Sequence, residues 1–155
     1  MKKFIIYLCL FSAIKADSQN LVLNPSFEDT ILCPTTIFPM QCKYWYRATM
    51  GSPDYFSEQP DIFCGTSYVP QSGVGYQYAR TGIAYVGLAT LMQPLNPNYL
   101  NRREYIGGEL SDTLKQGHEY CVSFYVSVAE ELKYVTDGIG LYLSVDSAVD
   151  YTINI

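Results

Sequence analysis

Residues 120–129 read Tyr-Cys-Val-Ser-Phe-Tyr-Val-Ser-Val-Ala, and this stretch decides the expected fold. Successive side chains of a β-strand point to opposite faces, so alternate residues share a face. One face carries Tyr120, Val122, Phe124, Val126 and Val128, and the other carries Cys121, Ser123, Tyr125 and Ser127. An apolar face opposite a more polar one predicts a half-buried strand of an antiparallel sheet.

Further runs rich in Tyr, Val, Ile and Phe recur along the chain between clusters of Gly, Pro and Asn. They occupy residues 21–27, 43–47, 83–89, 104–110 and 139–145. This composition and punctuation are typical of strands, and no amphipathic helix of three turns can be found. The sequence therefore predicts an all-β fold, an antiparallel β-sandwich of the jelly-roll type.

The expected sandwich is short of strands at its C-terminal end. A jelly roll uses about eight strands in two sheets, whereas six strand signals lie between residues 21 and 145, and residues 150–155 offer at most one more. We therefore expect a fragment that lacks its last strand or strands and leaves one sheet edge open. Unpaired backbone groups at an open edge recruit further strands, so we also expect self-association.

The first 18 residues have the three-part layout of a secretory signal peptide. Lys2 and Lys3 precede an apolar run at residues 4–14, and Ala16 and Ser18 are the small residues before the expected cleavage site. A membrane-spanning helix needs about 20 apolar residues, so this shorter run does not predict a retained anchor. We expect a protein that is secreted or held at the cell surface.

Residues 19–155 are enough for one domain, since single domains commonly run to about 100–150 residues. The formal net charge of the whole chain is −5. Removal of the signal peptide takes away three lysines and one aspartate, which increases the acidic excess. An acidic surface argues against a nucleic-acid partner.

Cys33, Cys42, Cys64 and Cys121 remain after the signal peptide is removed, an even number in an exported chain. Disulfide bonds are the favoured interpretation. Two long stretches, residues 29–41 and 50–77, hold most of the prolines and are expected to be irregular loops. We expect Cys33 to pair with Cys64, because each lies in one of these loops and the loops need restraint, which leaves Cys42 for Cys121. Zinc is the alternative, but no two cysteines have ligand-like spacing and the single histidine, His118, stands apart from them.

Several segments, taken in order, resemble the N-terminal domain of secreted and outer-membrane-associated proteins of gliding-type Gram-negative bacteria. The segments are Asn-Pro-Ser-Phe-Glu at 24–28, Trp45, Ser-Pro-Asp-Tyr-Phe at 52–56, and residues 75–87, 103–106 and 120–127. In that family the domain often precedes an OmpA-type peptidoglycan-binding module or a gliding-motility or type IX secretion module. The opening segment also resembles galactose-binding-like and carbohydrate-binding jelly rolls. The resemblance implies a jelly roll at the cell surface, with sugar binding suggested by the likeness of fold alone.

The same resemblance implies a metal site at Glu28, because a carboxylate at this place in sugar-binding jelly rolls often helps to hold a structural calcium. Oxygen ligands suit calcium, which takes six to eight of them. The alternative is that Glu28 and Asp29 cap a solvent-exposed strand end. The partner carboxylate would come from a last strand that the sequence does not locate.

Aromatic residues supply the candidate ligand-binding surface, since the chain has 15 tyrosines, seven phenylalanines and one tryptophan. Flat rings stack on the apolar faces of sugars while hydroxyl groups bond to sugar hydroxyls. The tyrosines in or beside the long loops are the candidates for an exposed patch: Tyr55, Tyr68, Tyr76, Tyr78 and Tyr99. Arg80 could bind a carboxylated or sulfated glycan through paired hydrogen bonds. The alternatives are plain packing for each tyrosine and for Trp45, and surface ion pairing for Arg80.

The sequence favours a non-catalytic recognition or adhesion domain that binds a glycan. A structural spacer that binds an envelope protein is the alternative from another class. A polysaccharide hydrolase is the third interpretation, because the many acidic residues would allow a carboxylate pair. Catalysis has no motif in its support, since no Gly-x-Ser-x-Gly elbow occurs and His118 has no nucleophile at motif spacing.

Overall fold

The computed structural model describes residues 19–31, 42–58, 69–90, 103–132 and 135–149. Several predictions fall outside these residues: the signal peptide at 1–18, the Cys33–Cys64 pair, Tyr68, Tyr99 and a short strand at 150–155. Within the described residues the chain is all-β and has no helix. No helix long and apolar enough to cross a membrane occurs in the same part of the chain.

Six short strands form three two-stranded antiparallel sheets. The strands are β1 (Trp45–Arg47), β2 (Asp54–Ser57), β3 (Gln71–Ser72), β4 (Gly75–Tyr76), β5 (Ala84–Gly87) and β6 (Ile106–Gly108). β1 pairs with β6, β2 with β5, and β3 with β4 in a hairpin. Isolated bridges join Val22 to Leu110 and Thr30 to Cys42.

The runs predicted at residues 43–47, 83–89 and 104–110 each contain a strand, although a shorter one than expected. β2 and the β3–β4 hairpin lie in a stretch that was expected to be an irregular loop. These strands are two to four residues long, too short to produce a clear alternation of apolar residues. The described residues thus support an all-β fold of small antiparallel sheets.

The core lies where the β1–β6 and β2–β5 sheets meet. Cys42, Tyr55 and Ala84 are buried there, and partly buried side chains pack against them: Phe27, Trp45, Val86 and Ile106. Trp45 therefore belongs to the core, and its ring centroid lies 4.7 Å from that of Phe27. Gly108 pairs with Trp45 across the sheet, and a Cβ at this glycine would come within 2.7 Å of the indole ring. The indole therefore requires a residue without a side chain opposite it.

Residues 24–29 form a turn instead of the strand predicted at 21–27. The amide of Asn24 donates to the carbonyl oxygens of Asp29 and Lys43, at 3.0 and 3.2 Å, and its own side-chain oxygen accepts from the Asp29 backbone N–H. Asn24 and Phe27 have positive φ angles of 48° and 63°, a region that asparagine tolerates better than most residues. The strand prediction was wrong beyond the Val22 bridge because side-chain hydrogen bonding to the backbone wins over the apolar pattern.

The buried carboxylate of Glu104 joins two segments of the chain through hydrogen bonds. Glu104 is buried, and its Oε1 accepts hydrogen bonds from the N–H and hydroxyl groups of Ser52 at 2.8 and 2.9 Å. Its Oε2 accepts the N–H of Ala89 at 2.8 Å. Burial and the nearby charge of Glu104 raise the pKa of Asp54 to about 6. One oxygen of Asp54, Oδ1, is buried and has no hydrogen-bond partner in the described part of the chain.

The runs at residues 120–129 and 139–145 are not paired into strands within the described residues. Both are exposed along nearly their whole length, including Phe124, Val126, Leu141 and Val145. The prediction that the apolar face of 120–129 is half-buried in an antiparallel sheet is therefore wrong for this structure. An alternating pattern creates a face that can be buried, but a second element must supply the surface that covers it.

The predicted disulfide between Cys42 and Cys121 is also wrong, since both are free thiols and Cys121 is exposed. Cys42 is buried in the core, where its Sγ accepts from the Asn24 amide at 3.0 Å and donates to the Phe27 carbonyl at 3.7 Å. Burial raises the pKa of the Cys42 thiol to about 11. Cys42 therefore acts as a small core residue with hydrogen bonds of its own.

Candidate functional site

Glu28, the expected calcium ligand, is bound to backbone N–H groups. Its Oε1 accepts from Ile83 and Ala84 at 3.0 and 3.3 Å, and its Oε2 lies 3.2 Å from the Ile83 nitrogen. Gly82 has a φ of 65°, and a Cβ there would collide with the carboxylate. The close approach of Glu28 to the start of β5 therefore requires glycine at this position.

This arrangement does not fit a calcium ion at Glu28. The groups that surround the carboxylate are hydrogen-bond donors, which repel a cation, whereas calcium requires several oxygen ligands. No cluster of three or more His, Cys, Asp or Glu side chains suited to a metal occurs among the described residues. Glu28 instead fastens the turn at residues 24–29 to β5.

Tyr55 does not belong to an exposed patch, so that part of the sequence prediction was wrong. It is only 4% exposed, in the middle of β2, and its hydroxyl group donates to the Phe27 carbonyl at 2.9 Å. Burial raises the pKa of its phenol to about 12. The loop expected around Tyr55 is a strand, and both Tyr55 and Phe56 are buried in it.

Tyr76 and Tyr78 do lie together on the surface, at the end of the β3–β4 hairpin. Their exposed fractions are 47% and 54%. Their hydroxyl oxygens are 3.2 Å apart, and their rings meet edge to face with centroids separated by 5.6 Å. This hydrogen bond is the main cause that raises the pKa of Tyr76.

The hairpin positions this pair of tyrosines. The Ser72 hydroxyl group donates to the Gly75 carbonyl at 3.2 Å and accepts the Val74 N–H at 3.3 Å, which closes the turn. Gly75, with a φ of 138°, directs the chain into residues 76–80. Tyr76 and Tyr78 are two positions apart in this segment, and alternate residues of an extended chain share a side.

Arg80 is exposed two residues beyond Tyr78 and contacts a residue from a distant part of the chain. Its guanidinium carbon lies 3.6 Å from the ring centroid of Tyr125, within the range of a cation–π interaction. Tyr125 is 72% exposed. We name Tyr76, Tyr78, Arg80 and Tyr125 together the tyrosine platform.

Two hydrogen bonds join the two segments that contribute to the platform, residues 76–80 and residues 125–130. The Ser127 hydroxyl group donates to the Gln77 side-chain oxygen at 2.7 Å, and the Tyr76 N–H donates to the Glu130 carboxylate at 3.4 Å. The three contacts pair residue 76 with 130, residue 77 with 127 and residue 80 with 125, so the numbers rise along one segment as they fall along the other. The two segments therefore run antiparallel, joined here by contacts that involve side chains.

The structure brings together three of the predicted ligand-binding residues, Tyr76, Tyr78 and Arg80. The sequence prediction missed Tyr125, although it placed this residue on the more polar face of 120–129, the face that also carries Ser127. That face contains the side chains that contact residues 77 and 80. An exposed tyrosine among serines on a strand-like run was the signal that could have identified it.

The platform has the chemistry of a carbohydrate-binding surface. Tyrosine rings offer flat apolar faces to sugar rings, and their hydroxyl groups offer hydrogen bonds at the edges. The site is also polarised, because Arg80 lies at one end and Glu130 contacts the backbone of Tyr76 at the other. Searches of protein-family models, curated proteins and solved structures find no match to this chain.

Proposed function

We propose that this protein is a non-catalytic recognition domain of the cell surface or the extracellular space, and that it binds a glycan through the tyrosine platform. The observation that carries the proposal is a pair of aromatic contacts between exposed side chains, Tyr76 with Tyr78 and Arg80 with Tyr125, in two segments that hydrogen bonds join. Exposed rings are costly to maintain in water, so a cluster of them indicates a partner.

The platform is preorganised, which favours binding of a flexible sugar chain. The Tyr76–Tyr78 hydroxyl contact and the Arg80–Tyr125 contact restrict the rings before any ligand arrives. Side chains that are already ordered lose less conformational entropy on binding. The secretory signal expected at residues 1–18 supports a location where glycans are met, and a jelly-roll sandwich of the gliding-bacterial type remains the finer fold that we propose.

A glycan array probed with the secreted wild-type protein and three variants tests this function. Tyr78→Ala and Tyr125→Ala each remove one stacking ring and should lower the affinity for the glycans that bind by roughly tenfold or more. Tyr105→Ala is the matched control, because Tyr105 is exposed but lies outside the platform. Binding that survives both platform variants, or that falls equally in the control, would contradict the proposal.

The second candidate is a structural spacer that binds an envelope protein, and one observation favours it. The apolar face of residues 120–129 is exposed, with Val122, Phe124 and Val126 each at least half accessible. A photo-cross-linker at position 126, compared with one at position 105, would test this role in cells. A specific envelope-protein adduct at 126 together with a silent glycan array would favour the spacer over the glycan-binding domain.

A further inference from the structure

Arg80 is the positively charged group of the tyrosine platform, and no partner in the described part of the chain neutralises it. The ion pair found among the described residues joins Lys115 to Asp112. Arg80 is exposed and its recorded contact is with the ring of Tyr125. The guanidinium group is therefore held over an aromatic ring, with its charge unpaired among the described residues.

The contact with Tyr125 does not occupy the N–H groups of Arg80, and no hydrogen bond from them is found within the described residues. A cation–π interaction draws on the charge of the guanidinium group and on the face of the ring. The five N–H groups of arginine are the donors that match two oxygens of a carboxylate or sulfate at once. Stacking restrains the guanidinium group, so less conformational freedom is lost when such an anion binds.

The net charge of the chain is negative, so the positive charge of Arg80 matters for the kind of ligand that the platform can bind. The protein has a formal net charge of −5, and the Glu130 carboxylate adjoins the Tyr76 end of the platform. A net negative charge repels an anionic ligand unless a local cation offsets it. We infer that the platform recognises an anionic glycan, with the acidic group at Arg80 and the neighbouring sugar rings on the tyrosines.

This inference rests on the proposed function and names the class of ligand for the same site. The acidic group is a carboxylate or a sulfate, because the guanidinium group binds both. The inference also gives the orientation of the bound glycan. Its acidic group lies at Arg80, and a neutral sugar lies beside Glu130.

Calorimetric titration with three oligosaccharides of similar length tests the inference: oligogalacturonate, its fully methyl-esterified form and a carrageenan oligomer. Methyl esterification removes the charge of the uronate and leaves the sugar ring in place. The wild-type protein should bind an anionic oligomer roughly tenfold or more tightly than the methyl ester, the gain expected of one charge-assisted pair. A stronger response to oligogalacturonate assigns the carboxylate, and a stronger response to carrageenan assigns the sulfate.

Two substitutions at Arg80 locate the effect. Arg80→Ala should abolish the preference for the anionic oligomer, so that the dissociation constants of this oligomer and the methyl ester become equal within about twofold, whatever the loss of the Tyr125 contact does to both. Arg80→Lys, which keeps the charge but loses the paired donors, should retain part of the preference. A folded Arg80→Ala variant that keeps the full preference would overturn the role of Arg80.

The outcomes separate this inference from the proposed function. Equal binding of the anionic and methyl-esterified oligomers by the wild-type protein would overturn the anionic ligand and leave glycan binding intact. A folded wild-type protein that binds none of the three oligomers, and no glycan on an array, would overturn both.

Discussion

Two regions of this chain look alike in sequence and differ in structure. The described residues between 19 and 110, which we call the paired region, contain all six strands and the buried core. The described residues between 111 and 149, the unpaired segment, contain the longest alternating run of the chain and no paired strand. The unpaired segment therefore has the more strand-like sequence but less backbone pairing than the paired region.

Polar side chains, more than an alternating apolar pattern, therefore decide which runs of this chain are held together. Asn24, Glu28 and Glu104 each bind backbone groups of a distant segment in the paired region. Such bonds satisfy backbone donors and acceptors that the short strands leave unpaired. Hydrogen bonds that involve side chains join Glu130 and Ser127 of the unpaired segment to Tyr76 and Gln77 of the paired region. A backbone bond also joins the Ser111 N–H to the Leu21 carbonyl at 2.8 Å.

The largest expected contrast comes from removing one aromatic ring in each region. Trp45→Ala should destabilise the protein by about 3 kcal/mol, because the ring packs on Phe27 and its Nε1–H donates to the Asn24 carbonyl. Phe124→Ala removes an exposed ring and should cost less than about 0.5 kcal/mol. Urea unfolding measures both. Equal losses would show that the unpaired segment has a core of its own.

A smaller contrast comes from neutralising one carboxylate in each region. Glu28→Gln weakens charge-assisted bonds to Ile83 and Ala84 and should cost about 2 kcal/mol. Glu119→Gln is the control, because Glu119 is exposed in the unpaired segment. Thermal unfolding measures the stability of both variants and of wild type.

The same measurement with calcium and with a chelator tests whether Glu28 binds a metal ion. A melting temperature of wild type that rises with calcium, and no such rise in Glu28→Gln, would show a calcium site that the hydrogen bonds of Glu28 argue against.

The smallest contrast concerns pH. The pKa of Asp54 is about 6 in the folded protein against 3.8 for the free side chain, so the folded state binds the proton more tightly. Its stabilising contribution is complete below about pH 4 and is lost as the pH rises through about 6. Asp54→Asn should remove this loss and gain about 1 kcal/mol at pH 7, a value reduced for partial exposure.

The control for this pH effect is Asp137→Asn in the unpaired segment, where the aspartate is exposed. Its unfolding free energy should follow the same pH profile as wild type. A wild-type stability that rises between pH 4 and 7, with no change in the Asp54→Asn variant, would contradict the raised pKa of Asp54 in the folded protein.

The features that depend on composition could be predicted from the sequence. The features that depend on contacts between distant residues could not. The all-β character followed from the repeated runs of aromatic and β-branched residues, and three of the six strands lie within those runs. β2 was missed because the Pro and Gly content of residues 50–77 concealed a strand buried on both faces. The burial of Tyr55 followed from that error.

Part of the candidate site could be predicted, because some of its residues are close in sequence and others are distant. Tyr76, Tyr78 and Arg80 are close in sequence, so local reasoning grouped them correctly, whereas Tyr125 arrives from a segment 45 residues beyond Arg80. No sequence pattern shows that the amides of Ile83 and Ala84 reach Glu28, the residue for which the resemblance to jelly rolls implied a calcium site. The Cys42–Cys121 bond failed because cysteine count and spacing do not reveal that Cys42 is buried with hydrogen-bond partners.

The most direct test of the central claim is an NMR titration of protein labelled at its tyrosine and tryptophan rings, with the strongest ligand of the glycan array. The ring signals of Tyr76, Tyr78 and Tyr125 should shift together with one dissociation constant. The Trp45 indole N–H, bonded to the Asn24 carbonyl within the core, should stay in place. Saturable shifts that leave all three platform tyrosines unmoved would contradict the tyrosine platform as the binding site.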